Sequence, residues 1–185
     1  MSDHELYRLF LSGDQSAGDK LMIRYADALT AYLDGFLHNI HDAEDLMLEC
    51  FTVILVNRPS IKEGGFRAYL FKVARNKAAR FWRLKLSRPE FCPEDETGEL
   101  PSEEISPEES AWKSEMSDVL ARCLNRVAPQ YREALWLFYY MGMDYAQASQ
   151  VLGCSRKRID NLLTNGRARL RAELEKEGIT HDDVL

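Results

Sequence analysis

Apolar residues recur along this chain at spacings of three and four, and alternating strand-like runs are almost absent, so the pattern predicts a mostly helical protein. Leu6, Leu9 and Phe10 mark a first short helix that ends near Gly13. Leu21, Tyr25, Ala28, Leu29, Tyr32 and Phe36 form one stripe of a second helix over 21–37. A third helix is expected over 42–56, stopped by Pro59, and Gly64-Gly65 separates it from a long fourth helix over 67–86. Four such helices make one small domain.

The pattern then lapses. Pro89, Pro93, Pro101 and Pro107, with Gly98 and many acids, leave little to bury and prevent a continuous helix, so this stretch reads as a flexible linker. Helical spacing returns with Val119, Leu120, Cys123, Leu124 and Val127, ended by Pro129. Three further helices are expected: 131–141, ended by Gly142; 145–152, capped by Asp144 and broken at Gly153; and a last one from the Ser155 cap to about Lys176. The expected fold is all-α: a first helical domain over 1–88, an acidic linker over 89–110, and a second helical domain over 111–185.

Charge sharpens this division. The chain of 185 residues carries a formal net charge of -6, but its signs are sorted. Residues 62–88 hold Lys62, Arg67, Lys72, Arg75, Lys77, Arg80, Arg83, Lys85 and Arg88 against Glu63 alone, and residues 156–171 hold Arg156, Lys157, Arg158, Arg167, Arg169 and Arg171 against Asp160 alone. Residues 90–109 carry acids and no Lys or Arg. Two cationic modules on an anionic tether predict a protein that touches one polyanion at two places. No apolar run approaches the roughly 20 residues of a membrane span, and the N-terminus lacks a signal-peptide pattern, so a cytoplasmic protein without a membrane partner is expected. Cys50, Cys92, Cys123 and Cys154 are widely spaced and form no CxxC pair, which argues against a disulfide or zinc framework.

The last two helices, joined by a short Gly-containing turn, have the form of a helix-turn-helix, whose second helix enters the major groove. In that helix Ile159, Leu162, Leu163, Gly166 and Leu170 fall on one inward face. The opposite face presents Lys157, Asn161 and Thr164, with Arg158 and Asn165 at its margins; Lys suits guanine acceptors and Asn the adenine edge. Arg156, Arg167 and Arg169 suit phosphates. A solvated basic helix of an ordinary bundle is the alternative.

In the fourth helix Tyr69, Lys72, Asn76, Arg80 and Arg83 form one exposed stripe, opposite Leu70, Val73, Ala74, Phe81 and Leu84. Rings that stack on unpaired bases, with cations for the backbone, suit single-stranded nucleic acid. Phe66, Phe71 and Trp82 are further aromatic candidates, although most helical aromatics are core. Lys77 falls near the apolar line and has no place in this scheme. In the third helix Asp42, Asp45 and Glu49 share a face with Leu46 and Val53, opposite a core face of Ala43, Met47, Phe51 and Ile54. The helix dipole accounts for Asp42 and Asp45 but not for Glu49, so this face predicts docking to a basic protein. His38, His41, Asp42 and Asp45 lie close in sequence, but the break near Asn39 spoils a shared face, so neither a metal nor a cofactor is expected.

These segments resemble a known family. Asp42-Ala43-Glu44-Asp45-Leu46, followed by Glu49 and Phe51, resembles the core-polymerase-binding segment of bacterial RNA polymerase sigma factors. Residues 66–76 resemble their promoter-melting helix, with Tyr69 where the family usually has Trp, and 124–135 with 145–170 resemble their C-terminal helix-turn-helix. The two-domain plan is similar to the small extracytoplasmic-function type. The resemblance implies that Asp42, Asp45, Leu46 and Glu49 bind the clamp helices of the largest subunit of core RNA polymerase. It implies that the fourth helix opens the minus-ten promoter element, with Asn76 where an extruded base is captured. It further implies that Arg156, Lys157, Arg158, Asn161, Thr164 and Arg167 serve the minus-thirty-five element, that the second domain touches the polymerase flap, and that an anti-sigma factor sequesters the chain. Two departures stand out: Gln147-Ala148-Ser149 replaces the usual Glu-Ile-Ala, and Lys157-Arg158-Ile159 the usual Gly-Thr-Val.

The expected function is an alternative sigma factor. A stand-alone helix-turn-helix regulator is the other DNA-binding reading, but nothing suggests its dimer helix, and the acidic face would go unused. An enzyme would need convergent catalytic groups, and the chain has no phosphate-cradling Gly loop, HExxH or nucleophile motif.

Overall fold

Capping and helical periodicity together delimit most of the elements. The computed structural model describes residues 1–86 and 119–179, and among them it contains helices and no strand. The expected acidic linker, residues 89–110, lies outside the described residues. Helix α1 (Asp3–Leu11) starts with a capping box, in which Ser2 Oγ accepts from the Glu5 backbone and the Glu5 carboxylate accepts from the Ser2 backbone. Helix α2 (Gln15–Leu37) begins at the Asp14 cap, and α3 (Ile40–Asn57) at Asn39, whose side chain accepts from the Asp42 backbone at 3.1 Å. Both end on left-handed residues that are not glycine: His38 (φ 51°) and Arg58 (φ 44°). Helix α4 covers Phe66–Leu86.

After residue 119, α5 occupies 119–126. Pro129 takes the first position of α6 (Pro129–Leu135), where its missing N–H costs nothing. The helix then widens into a π-helical turn, Trp136–Tyr140, with the Met141 N–H bonding the Trp136 carbonyl five residues back at 3.1 Å. Helix α7 (Tyr145–Leu152) opens on a capping box between Asp144 and Gln147 and ends at Gly153, whose φ of 65° suits glycine. Helix α8 (Arg156–Lys176) starts at the Ser155 cap.

The described residues gather into two compact units, one of α1–α4 with α7 and one of α5, α6, the π-turn and α8. In the first unit the stripes of α1–α4 converge on an aromatic-rich core. Phe66 packs against Tyr7 and Tyr25, and Phe71 against Tyr25 and Tyr32, over the buried side chains of Leu21, Leu29, Phe51 and Ile54. Phe66 and Phe71 are therefore core residues and not exposed stacking platforms. Fully burying each such side chain contributes about 1.5–3 kcal/mol. Polar handles close the edges of this core: the Tyr7 hydroxyl donates to the Pro59 carbonyl (2.7 Å), the Trp82 indole N–H to the Phe36 carbonyl (3.0 Å), and Tyr25 to Asp3, which also pairs with Arg24. Helix α7 packs with α4, and Gln147 Nε2 donates to the Gly64 carbonyl at 3.0 Å, a bond that a Glu side chain has no donor to make.

In the second unit Cys123, Val127, Leu135, Leu137, Ile159, Leu162 and Leu163 are buried together, where α6 packs on α8. Gly166 allows the close approach: a Cβ there would sit 3.2 Å from Leu135 Cγ. Arg126 ties α5 to the end of α8 through Glu177 (2.5 Å). Cys50 and Cys123 are buried free thiols and Cys154 is half-buried. Burial pushes the Cys50 thiol up to about 12, which keeps it protonated and unreactive.

Candidate polymerase-docking and nucleic-acid surfaces

Helix α3 divides its acids and its apolar residues unevenly. Asp45 and Glu49 are exposed and Asp42 is half-buried beside the Asn39 cap. Leu46 differs from the expected exposed aliphatic. It is buried, with 7% of its surface accessible, because it follows Ala43 by three residues and precedes Cys50 by four, and so belongs to the core stripe. Leu48, between Asp45 and Glu49, is an exposed aliphatic at 49%, and Val56 further along α3 is also exposed, while Val53 is half-buried.

On α4, Lys72, Asn76, Arg80 and Arg83 are exposed and Tyr69 is half-buried, while Leu70 and Ala74 are buried on the opposite side. Phe81 and Trp82 are half-buried and share the Lys85 ammonium, which lies 5.5 Å from each ring centroid. Leu84 is exposed rather than packed inward. Lys77, which the helical wheel left without a role, bridges to Glu49 of α3 at 2.6 Å. The acidic face and the basic stripe thus lie on adjacent packed helices joined by an ion pair.

On α8 the two faces separate as expected. Ile159, Leu162, Leu163 and Gly166 are buried, and Arg156, Lys157, Arg158, Asn161, Thr164 and Arg167 are all exposed. Asn165 donates to the Asn161 carbonyl one turn back (2.9 Å), and Arg169 stacks 4.9 Å over the Tyr131 ring. Arg169 is thereby partly engaged by its own unit.

A further feature of this unit follows no helical stripe. The π-turn sets Tyr139 and Tyr140 outward, 57% and 67% exposed, while Leu137 and Met141 stay buried. Trp136 stacks on Tyr140, and Arg167 Nη1 reaches the Tyr139 hydroxyl at 3.5 Å. The run Trp136-Leu137-Phe138-Tyr139-Tyr140 was the available signal, since five consecutive large apolar residues exceed one helical stripe. Among the described residues no cluster of His, Cys, Asp or Glu is arranged to hold a metal ion, and no helix is long and apolar enough to cross a membrane.

Residues 21–86 match the family model described as Sigma-70 region 2, and residues 117–170 match Sigma-70, region 4. The chain is 30% identical over 183 residues to the RNA polymerase sigma factor NccH of Alcaligenes xylosoxydans xylosoxydans, covering 96% of this chain and 97% of that one. It is 27% identical to the ECF RNA polymerase sigma factor SigM of Bacillus subtilis, covering 83% and 93%. It is 28% identical to the ECF RNA polymerase sigma factor SigE of Mycolicibacterium smegmatis, covering 89% of this chain but 65% of that longer relative. Among solved structures, CnrH in complex with the cytosolic domain of CnrY aligns with a TM-score of 0.66 at 25% identity, covering 94% of this chain and 97% of CnrH. The sigma factor RpoE of Bartonella quintana shares the fold, with a TM-score of 0.65 at 21% identity, covering 85% and 96%.

Proposed function

The chain belongs to the extracytoplasmic-function sigma factors of bacterial RNA polymerase, and we propose that it joins polymerase to promoter through three surfaces on α3, α4 and α8. As a sigma factor it directs promoter-specific transcription initiation. In this reading Asp42, Asp45 and Glu49 dock the clamp helices of the largest core subunit. Leu46 acts from below by seating α3 in the core, and Leu48 adds an exposed apolar contact. Tyr69, Lys72, Asn76, Arg80 and Arg83 take the minus-ten element as an unpaired strand. Arg156, Lys157, Arg158, Asn161, Thr164 and Arg167 take the minus-thirty-five element as duplex.

Functionally the chain divides at 1–88, 89–110 and 111–185, with the acidic stretch as tether and the last part reaching the polymerase flap. The protein is non-catalytic and works in the cytoplasm. A sequestering anti-sigma protein completes the reading, supported by the sigma factor RpoE of Bartonella quintana having been solved with the anti-sigma factor NepR.

The observation that carries this reading is the opposition, on the packed pair α3 and α4, of exposed carboxylates and a stripe of amide, ring and cations. A plain DNA-binding bundle has no use for the acids. The test adds the purified chain to sigma-free core polymerase with a library of genomic fragments and sequences the transcript starts. Starts clustered behind a shared pair of elements support it. Tight DNA binding by the chain alone, with no specific transcripts, would overturn it.

A further inference from the structure

We propose that Tyr139, outside the helix-turn-helix, is a DNA-contacting residue: its hydroxyl and the Arg167 guanidinium form a two-donor clamp for one backbone phosphate. The inference rests on the reading of α8 as the duplex-binding helix.

The first support is the geometry of the hydrogen bond. Arg167 Nη1 lies 3.5 Å from the Tyr139 hydroxyl oxygen. Guanidinium has donors and no acceptor, so the phenol oxygen must accept in this pair. Its own proton is left to donate outward. The other guanidinium N–H groups and the phenol O–H then converge on the same region of solvent, and a phosphate oxygen is the DNA group that accepts from both.

The second support is the backbone that presents the ring. Leu137 and Met141, four residues apart, are both buried, which turns Tyr139 to the opposite, solvent-facing side. Here the Met141-to-Trp136 bond closes a wide turn, and Tyr139 and Tyr140 both face solvent. Wide turns of this kind are uncommon and frequent at functional sites. The Tyr139 ring is steadied edge-on by Phe138, at 5.2 Å between centroids, so the hydroxyl is held in place rather than swept through solvent.

The third support is position along α8. Arg167 follows Thr164 by three residues and Asn161 by six, so it continues the exposed face that carries the base-reading candidates. It lies about three turns from the N-terminus of α8, the end that reads bases in this motif. A residue that far along suits the backbone flanking the groove, and a phenol beside it can add hold without sequence preference.

The test measures binding of the full chain to a fluorescent mixed-sequence 30-base-pair duplex at several low salt concentrations. Tyr139→Phe keeps the ring and removes the donor. Its affinity should fall on the order of 3- to 10-fold, equally on different sequences, with the salt dependence unchanged because no charge is lost. Arg167→Gln should weaken binding and lower the salt slope by about one. Adding Tyr139→Phe to Arg167→Gln should then cost less than about twofold, because the clamp is already broken. Wild-type affinity in Tyr139→Phe, with Arg167→Gln impaired, overturns the clamp and leaves α8 as the DNA helix. Unchanged binding in Arg167→Gln and also in Arg156→Gln and Lys157→Gln overturns the α8 reading itself. A sequence-dependent loss in Tyr139→Phe would mean base contact and would equally overturn the phosphate clamp.

Discussion

Lys77 Nζ lies 2.6 Å from Glu49 Oε2, so the basic helix α4 and the acidic face of α3 share an ion pair. The Lys77 side chain is 24% exposed and that of Glu49 61%, which makes the pair a partly solvated one worth about 0.2–1 kcal/mol. Its consequence is for binding more than for stability. A carboxylate already paired offers less to a cationic partner.

Lys77→Met should therefore leave Glu49 with its full charge and raise affinity for core polymerase about two- to fivefold at low salt. Fluorescence competition against the wild-type chain measures this. Weaker binding would mean that Lys77 orients the Glu49 carboxylate for docking rather than competing with the partner.

Among the described residues Asp45 makes no such ion pair, so it is the cleaner probe of the same face. Asp45→Lys should weaken core binding at least about tenfold and leave the thermal midpoint close to that of the wild type. Full affinity in this variant would refute α3 as the docking face.

The helix order and most of the exposed faces were legible in the sequence, because caps and stripes are local. Ser155 and Asp144 cap the helices they precede, and the α8 core face matches its periodicity residue for residue from Ile159 to Gly166. What was not legible depended on partners distant in sequence. The wheel left Lys77 without a role because Glu49 is 28 residues away on another helix. By spacing alone Leu46 falls with the acids, but the width of a core stripe is set by the helices packed against it, here enough to cover both Leu46 and Met47. Residues 136–140 are all large and apolar, so no stripe in the sequence separates the exposed Tyr139 and Tyr140 from the buried Leu137. The candidate sites were legible as patches, and the links between them were not.

Asn161 sits exposed on α8 between Lys157 and Thr164, the geometry for an adenine edge. Asn161→Ala should cost about 1–3 kcal/mol on the preferred minus-thirty-five sequence and relax selectivity at one base position. Holoenzyme binding to a set of single-base promoter variants reads both. An equal loss on every variant would assign Asn161 to the backbone.

Ser149 stands where the family usually has Ala, and its hydroxyl oxygen is buried with no hydrogen-bond partner among the described residues. An unsatisfied buried hydroxyl destabilises, and removing it restores an apolar contact. Ser149→Ala should raise unfolding free energy by about 1 kcal/mol, with Ala also the better helix former. Urea titration reads the shift in midpoint. A loss of stability would mean that the hydroxyl is satisfied by ordered water and contributes to the packing of α7.

Tyr25 supplies a pH signature for the first unit. Burial, reinforced by the hydrogen bond to Asp3, pushes its hydroxyl from 10.0 up to about 12, with Arg67 pulling the other way. The folded chain thus holds this proton more tightly than the unfolded one. The resulting stability is complete below pH 10 and is lost as pH rises from 10 towards about 12. Tyr25→Phe lacks the group, so its stability should lie below that of the wild type through pH 10, and the gap should narrow between pH 10 and 12. Urea midpoints for both proteins across that range measure the gap, and absorbance of the phenolate follows the late-titrating tyrosine directly. A gap that stays constant to pH 12 would show that Tyr25 ionises at its ordinary value and that the Asp3 contact is not holding its proton.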